Sequence, residues 1–165
     1  QRLHRKIANV RNDFLHKATT AISKNHAVVV IEDLTVRNMS RSASGTLEAL
    51  GKNVRAKAGL NKSILDQGWF EFRRQLAYKL AWPGGTLLVV PPRYTSQTCS
   101  QCGGMDKRNR PAQAEFKCTA CGVECNADHN AALNILTAGQ AVSACGAGMA
   151  QAPALKQEPA YGAAR

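Results

Sequence analysis

The cysteines of this 165-residue chain are concentrated in one segment. Cys99 and Cys102 form one C-x-x-C pair, and Cys118 and Cys121 form a second pair after fifteen intervening residues. Two such pairs can place four thiolates around one Zn²⁺ ion, and a glycine directly after each pair lets the backbone turn toward sulfur. Because four cysteines fill the coordination sphere, we expect this zinc to build structure and not to activate water.

Two other uses of these cysteines fit less well. A disulfide scaffold is disfavoured because no secretory signal is visible and the cysteines share one short segment. A thioredoxin-like redox site needs one C-x-x-C pair, and this chain has two. Cys125 is expected to be a spare thiol, and Cys145 has no partner signal in the sequence.

Two carboxylates stand out by position. Glu32 follows the β-branched run Ala27–Ile31, which predicts a strand buried on both faces, and open α/β sheets bind ligands at the carboxyl ends of their strands. Asp128 comes just after the cysteine segment and before a predicted helix. A carboxylate leaving a buried strand must be hydrogen-bonded, paired or bound to a cation. The ordinary alternatives are a strand-end salt bridge for Glu32 and a helix N-cap for Asp128.

The composition favours a polyanionic partner. Lys and Arg number 22 against 11 Asp and Glu, which gives a net charge of +11, and phosphates attract clustered cations. No apolar run approaches the length of a membrane span, and no signal peptide is visible. The first residue is Gln1, so we expect an excised or processed chain.

The elements that must position these residues are read from periodicity. The predicted elements are a helix from Arg2 to about Lys24, the 27–31 strand, a basic and flexible or partly helical connection over 35–62, a helix carrying Leu65, Trp69, Phe72, Leu76 and Leu80, a buried strand at Thr86–Val90, and a short helix over Asn130–Leu136 that ends at Gly139. The helix aromatics are expected in the core. This order predicts an α/β fold that carries a zinc module.

Several stretches closely resemble the TnpB/OrfB family, which comprises transposon-encoded relatives of type V CRISPR effector nucleases. Val-Ile-Glu-Asp-Leu at 30–34 is similar to the second motif of RuvC-like nuclease domains. The stretches 94–103 and 116–122 resemble the family's zinc ribbon, and Asn-Ala-Asp-His-Asn-Ala-Ala-Leu-Asn-Ile at 126–135 resembles its third motif. The likeness runs from the first helix through Leu136.

The resemblance implies a partial RNase H-like (RuvC-like) domain over 1–94 and 125–138 and an inserted zinc ribbon over 95–124. The remaining stretch, 139–165, lies outside the likeness, and we expect it to be a disordered tail because it is rich in Ala, Gly, Gln and Pro without periodicity. The resemblance makes Glu32 and Asp128 the second and third catalytic carboxylates, which hold Mg²⁺ for two-metal-ion hydrolysis of phosphodiesters. The family's first catalytic aspartate lies upstream of the first helix, so no residue here matches it. We therefore expect the 165 residues alone to be inactive.

The implied function is that of a transposon-associated RNA-guided DNA endonuclease in the prokaryotic cytoplasm, associated with the nucleoid. Its partners would be DNA, a guide RNA and the missing N-terminal part of the same protein. Candidate phosphate contacts are the basic 35–62 connection and four ribbon residues: Lys107, Arg108, Arg110 and Lys117. Two alternatives stay open, namely a non-catalytic zinc-dependent DNA-binding module of a transposase-like protein and a RuvC-like resolvase that acts without a guide.

Overall fold

A computed structural model describes residues 2–145 of the chain. Helices and strands are mixed along it, as predicted. The elements, in chain order, are α1 (Arg2–Asn25), β1 (Val28–Glu32), α2 (Val36–Met39), α3 (Val54–Asp66), α4 (Trp69–Ala81), β2 (Thr86–Val90), β3 (Glu115–Lys117), β4 (Glu124–Asn126) and α5 (Ala127–Ala144).

The centre of the fold is a parallel pair of strands. β1 and β2 run in register from Val28 opposite Thr86 to Glu32 opposite Val90. α4 packs on β2 and is itself covered by α1, while α5 packs on both strands. Two parallel strands must be joined by a long crossover connection, which is usually a helix. α4 lies in the connection between β1 and β2.

The prediction that the first strand is buried on both faces is wrong. Val28 is 54% exposed, and the other residues of β1 are half-buried. In β2, by contrast, Leu88 and Val90 belong to the core. Among the described residues the two strands pair only with each other, and they differ in their helical cover, because β2 is packed by both α4 and α5 whereas β1 is packed mainly by α5.

The first predicted helix is confirmed, but its apolar stripe is buried only toward its end. Leu3, Val10 and Phe14 each expose more than half of their surface, and Thr19 is the fully buried residue of α1. No element within residues 2–145 covers the first half of the stripe. The periodicity therefore identified the helix correctly without locating its packing partner.

α1 and α4 meet through a buried polar network. The Thr19 hydroxyl donates to Gln75 Oε1 at 2.9 Å, and Gln75 Nε2 donates to Glu71 Oε1 at 2.9 Å. Lys79, 7% exposed, donates to the Thr19 hydroxyl at 2.8 Å. Burial lowers the pKa of Lys79, while the negative charge of Glu71 acts in the opposite direction.

The predicted helix around residues 65–80 is two helices. Leu65 lies in α3, and Gly68 adopts a φ of 67° before α4 begins at Trp69. A left-handed residue breaks the helical path, and glycine adopts it without steric cost. Trp69 and Phe72 are half-buried and line an open cavity, so their assignment to the core is wrong in part.

The last helix is longer than predicted. α5 begins at Ala127 and continues through Gly139 to Ala144. Gly139 is buried against Val30, where a Cβ atom would come within 2.6 Å of Cγ1 of Val30. Close packing on β1 thus explains a glycine inside this helix, and the assignment of residues 139–144 to a disordered tail is wrong. Residues 146–165 of that tail lie outside the described residues.

Candidate functional site

The four predicted cysteines converge. Their Sγ atoms all lie within 4.8 Å of one another. Cys99 and Cys121 are 3.7 Å apart through sulfur, and Cys102 and Cys118 are 3.6 Å apart. A tetrahedral site with Zn–S bonds of about 2.3 Å requires sulfur atoms about 3.8 Å apart. The donor type and spacing therefore fit a bound metal ion such as zinc.

Two equivalent turns shape this cysteine cluster. Gly103 has a φ of 73° and donates its N–H to the carbonyl of Cys99 at 2.9 Å. Gly122 has a φ of 75° and donates in the same way to Cys118 at 3.0 Å. A backbone hydrogen bond from Cys121 lowers the pKa of the Cys118 thiol to about 6. The second turn thus favours the thiolate of Cys118, which is the metal-binding form of cysteine. At Cys121 a backbone hydrogen bond from Val123 acts in the same direction, but the neighbouring thiols outweigh it and raise the pKa of Cys121 to about 12.

Asn109 joins the two cysteine turns and was missed by sequence reasoning. It is 1% exposed, and its Nδ2 donates to the carbonyls of Gln97 at 2.9 Å and Gly104 at 3.2 Å. Its Oδ1 accepts from the backbone N–H of Thr119 at 2.9 Å and from the Thr119 hydroxyl at 3.0 Å. One side chain therefore holds the first turn against the second. An asparagine in a basic, irregular stretch gives no periodic signal that could have singled it out.

A small apolar cluster supports the cysteines. β3 and β4 pair antiparallel, with Phe116 opposite Cys125. Phe116 is 1% exposed and packs with Cys99, Cys118 and Ala127. Cys125 is partly buried against this cluster and lies outside the group of four thiols, as the sequence predicted.

The segment that carries the first cysteine pair is attached to α5 by two side-chain amides, one buried and one half-buried. Asn130, 0% exposed, accepts from the Ser100 N–H at 2.9 Å and donates to the carbonyl of Thr98 at 2.8 Å. Asn134 donates to the carbonyls of Thr98 at 2.7 Å and Thr95 at 2.8 Å. These bonds fix the segment before the first cysteine on the helix that carries Asp128.

Glu32 lies at the carboxyl end of β1, as predicted. The Thr95 hydroxyl donates to Glu32 Oε1 at 2.5 Å, and Glu32 lines an open cavity of about 440 Å³ between α4 and α5. The strand-end salt bridge is made instead by the next residue, Asp33, whose carboxylate binds Arg73 at 2.6 Å. Glu32 itself is half-buried, and the Thr95 hydroxyl is its one hydrogen-bond partner within residues 2–145. No cation within these residues forms a salt bridge with Glu32.

Asp128 lies in the first turn of α5 and is not its N-cap. Asn126 is the N-cap, and its Oδ1 accepts from the N–H groups of Asp128 at 2.9 Å and His129 at 3.2 Å. The Asp128 carboxylate is 83% exposed and lies 3.4 Å from Nη2 of Arg110. Its negative charge is also well placed against the N-terminal end of the helix dipole.

The segment 95–98 links Glu32 to α5, the helix that carries Asp128. Glu32 binds Thr95 directly, and α5 binds the carbonyls of Thr95 and Thr98 through Asn130 and Asn134. Asp128 does not line the cavity beside Glu32. Over residues 2–145, the cysteine cluster is the one group of three or more potential metal ligands.

Several predicted phosphate contacts already have acidic partners. Arg108 pairs with Asp106 at 2.7 Å, and their hydrogen bonds lower the pKa of Asp106 to about 2. Lys117 pairs with Glu124 at 2.5 Å. Both cations are exposed, and ion pairs at exposed positions are weak because water and salt screen them, so a phosphate can compete for either cation.

Comparison with known proteins identifies the family. Residues 1–43 match the OrfB family described as "Probable transposase", and residues 69–135 match the family described as "Cas12f1-like, TNB domain". The chain is 62% identical, over 96% of its length, to "Putative RNA-guided DNA endonuclease InsQ" of Escherichia coli K12. The chain belongs to the TnpB/OrfB family.

Other relatives extend this family assignment. A Streptomyces pristinaespiralis protein, "Putative RNA-guided DNA endonuclease", is 40% identical over 90% of the chain. The fold is similar to that of Cas12f1 in a cryo-EM structure of the Cas12f1–sgRNA–target DNA complex, with a TM-score of 0.57 and 25% identity over 81% of this chain and 35% of that one. The chain spans 40% of the length of the E. coli relative and 33% of the Streptomyces one.

The sequence predicts that the chain has no membrane-spanning segment, and the structure tests this prediction for helices. Among residues 2–145, no helix of this TnpB/OrfB chain is both long and apolar enough to cross a bilayer.

Proposed function

We propose that this chain is the part of an RNA-guided DNA endonuclease that supplies two active-site carboxylates and a zinc ribbon. The observation that carries the proposal is the 62% identity, over 96% of the chain, to an E. coli protein named for that activity. DNA and a guide RNA are the proposed partners, because the structurally similar Cas12f1 is found in complex with both kinds of nucleic acid. The prokaryotic cytoplasm, near the nucleoid, is the proposed location.

The proposed fold is a partial RNase H-like domain. Its support is the parallel pair β1–β2, with α4 packed on β2 and covered by α1, and with α5 packed on both strands. Two open cavities, of about 690 Å³ and 440 Å³, follow β1 and are bounded by Val28, Val30 and Glu32 together with residues of α5. A parallel strand is normally buried on both faces and paired at both edges. A further strand beside β1 would fill this space and bring a third carboxylate to the end of β1.

Glu32 and Asp128 are the proposed catalytic residues. Carboxylate oxygens are the ligands that Mg²⁺ prefers. One oxygen of Glu32 accepts from the Thr95 hydroxyl, and within residues 2–145 the other makes no hydrogen bond and could bind an ion. When bound, two Mg²⁺ ions would stabilise the attacking and leaving oxygens of the phosphodiester. Within this chain, Thr95 orients Glu32, and Arg110 lies beside Asp128 and balances part of its charge.

The cysteine cluster is proposed to hold a structural zinc ion. All four donors are thiols, so the coordination sphere is closed and leaves no position for a reacting water. The proposed division of the chain is a nuclease domain over 1–94 and from 125 to the end of α5, with the ribbon of 95–124 inserted. The side-chain amides of Asn130 and Asn134 join the two parts.

Cleavage by a chimera tests the site assignment. The matching segment of the E. coli relative is replaced by this chain, guide RNA is supplied, and Mg²⁺-dependent DNA cleavage is measured. Glu32→Gln and Asp128→Asn should each abolish cleavage, whereas Glu115→Gln, which alters an exposed acid of the ribbon, should not. Cleavage that survives both active-site substitutions would contradict the assignment, and cleavage that needs no guide would favour a resolvase.

A non-catalytic, metal-stabilised DNA-binding module is the alternative. It is favoured by the exposed position of Asp128 and by the lack, within residues 2–145, of a third acid grouped with Glu32 and Asp128. This alternative predicts DNA binding that depends on the cysteines. It also predicts no nicking by the chimera, under conditions in which the E. coli relative itself cuts.

A further inference from the structure

One hydroxyl group lies between the end of β1 and α5. The Thr95 side chain is half-buried, and its Oγ1 donates to Glu32 Oε1 at 2.5 Å. Within residues 2–145, this is the one hydrogen bond that the Glu32 carboxylate receives. The glutamate side chain has several rotatable bonds, so holding its carboxylate in one orientation costs conformational entropy. The Thr95 hydroxyl is the group that opposes this cost.

The backbone before Thr95 has an unusual conformation. Tyr94 has a φ of 60°, in the left-handed region that residues other than glycine rarely adopt. Its carbonyl accepts three hydrogen bonds, each 2.9 Å long, from the N–H of Gln97 and from both the N–H and the hydroxyl of Thr98. Strained residues persist where the surrounding structure fixes them, and they are concentrated at functional sites. The turn over 94–98 is therefore a fixed support for the Thr95 hydroxyl.

The same turn is attached to α5. Asn134 Nδ2 donates to the carbonyls of Thr95 at 2.8 Å and of Thr98 at 2.7 Å. Asn130, which is fully buried, donates to the carbonyl of Thr98 at 2.8 Å. Residues four apart lie on one face of a helix, so both amides meet the turn from the same side. Two side chains of α5 thus hold the segment whose hydroxyl holds Glu32.

These contacts connect the two proposed catalytic carboxylates. Asp128 lies in the first turn of α5, and Glu32 is the last residue of β1. The packing of Gly139 on Val30 brings the helix and the strand together, but it does not touch either carboxylate. The contact that reaches the carboxylate of Glu32 is the Thr95 hydroxyl. The orientation of Glu32 relative to α5 therefore depends on this turn.

We propose that Thr95 is a positioning residue, whose hydroxyl holds the Glu32 carboxylate in its cation-binding orientation and ties that orientation to α5. The proposal rests on the proposed function in taking Glu32 as a ligand of Mg²⁺. Thr95 and Asn134 then affect the activity through Glu32. Removing a hydrogen-bond partner of a metal ligand typically weakens metal binding by about 10–100-fold.

Terbium luminescence measures cation binding separately from cleavage. Tb³⁺, like Mg²⁺, prefers oxygen ligands, and it emits when a nearby tryptophan is excited. Trp69 and Glu32 line the same cavity, so Trp69 can report on a cation at Glu32. The zinc-loaded chimera with the E. coli relative is titrated with Tb³⁺ in the absence of nucleic acid. Trp69→Phe identifies the part of the emission that comes from this cavity.

Three threonine variants test the hydroxyl itself. Thr95→Val replaces the hydroxyl with a methyl group and should weaken Tb³⁺ binding by about tenfold or more, whereas Thr95→Ser keeps the hydroxyl and should restore binding. Thr137→Val is the matched control, because the Thr137 hydroxyl donates to the Leu133 carbonyl within α5, and it should leave binding unchanged. With guide RNA bound, the Mg²⁺ concentration for half-maximal DNA cleavage should rise in Thr95→Val and return in Thr95→Ser.

Asn134→Ala tests the connection to α5. It removes the donor to the carbonyls of Thr95 and Thr98 and should weaken Tb³⁺ binding when Thr95 is present. In the Thr95→Val background it should have little further effect, because the hydroxyl through which it acts is already absent. Equal effects in the two backgrounds would overturn the connection, since Asn134 would then act independently of Thr95.

A Tb³⁺ affinity of Thr95→Val equal to that of Thr137→Val would overturn the proposal, as would a failure of Thr95→Ser to restore binding. Circular dichroism and zinc content establish that each variant is folded. Glu32→Gln separates the proposal from the proposed function. If Glu32→Gln loses Tb³⁺ binding and cleavage while Thr95→Val keeps both, the positioning role alone fails. If Glu32→Gln itself keeps both, Glu32 is no cation ligand, and the proposed function fails together with the role of Thr95.

Discussion

Asn109 is predicted to control metal affinity without touching the metal. Its side chain makes four hydrogen bonds from a position that is 1% exposed, two to the first cysteine turn and two to Thr119 in the second. Asn109→Ala removes all four and leaves the Thr119 N–H without its partner. The two turns then lose the side chain that sets their separation.

The size of the effect follows from these contacts. A buried donor that loses its partner costs about 1–3 kcal/mol, and each further hydrogen bond contributes about 1 kcal/mol net. Part of the cost is recovered where water reaches the freed carbonyls, so we expect a loss of about 3 kcal/mol. Because metal binding and folding of such modules are coupled, this corresponds to roughly 100-fold weaker zinc binding.

Competition with a chromogenic chelator measures the zinc affinity, and thermal unfolding of the zinc-loaded chain measures stability. Asn109→Asp provides a nearly isosteric comparison. Its carboxylate can still accept from Thr119, but its second oxygen would face the carbonyl oxygens of Gln97 and Gly104 and bury an unpaired charge, so a loss at least as large as that of Asn109→Ala is expected. Asn9→Ala, at an exposed position of α1, is the matched control and should leave zinc affinity unchanged.

A zinc affinity of Asn109→Ala within threefold of the wild type, on the order of 0.6 kcal/mol, would refute this reasoning. The turns would then be held by the metal and Phe116 alone. An equal loss in Asn9→Ala would show that the assay reports general destabilisation. Either result removes Asn109 from the determinants of the cysteine cluster.

Two further predictions concern the packing that positions the site. Burial lowers the pKa of Lys79 below its ordinary 10.5, so the unfolded chain holds a proton that the folded chain releases; stability should rise as the pH rises from the lowered pKa toward 10.5, and denaturant titrations of Lys79→Met should lack this rise. Gly139→Ala brings Cβ within 2.6 Å of Val30 Cγ1 and should lower the free energy of unfolding by about 1–3 kcal/mol. Gly59→Ala meets no atom within 4 Å in α3 and should raise it by up to about 1 kcal/mol; equal effects of the two glycine changes would contradict the packing of α5 on β1.

Local sequence patterns predicted the structure correctly where one rule was sufficient, such as cysteine spacing or a run of β-branched residues. The spacing of Cys99, Cys102, Cys118 and Cys121 predicted one cluster, and their sulfur atoms do converge. The β-branched run before Glu32 predicted a strand, and β1 covers it with a shift of one residue. The boundary at Gly68 was missed because the apolar period continues across a residue with positive φ.

The candidate site was only partly predictable. Its carboxylates were found from their positions and from resemblance, yet their roles stay predictions. The hydroxyl of Thr95 on Glu32 and the amides of Asn109 and Asn130 gave no sequence signal, because each acts between segments far apart in the chain. Hydrogen bonds of this kind depend on where three or four elements meet, which no local pattern encodes.

The sequence by itself determined the family, the clustering of the four cysteines and most of the helices and strands. These depend on spacing and periodicity, which are properties of neighbouring residues. The tertiary structure alone decided that Asn126 and not Asp128 caps α5, that Gly139 lies inside a helix against Val30, and that within residues 2–145 β1 has β2 as its one strand partner. Each of these depends on which surfaces meet across the fold, because burial and close packing are settled between distant segments and not within them.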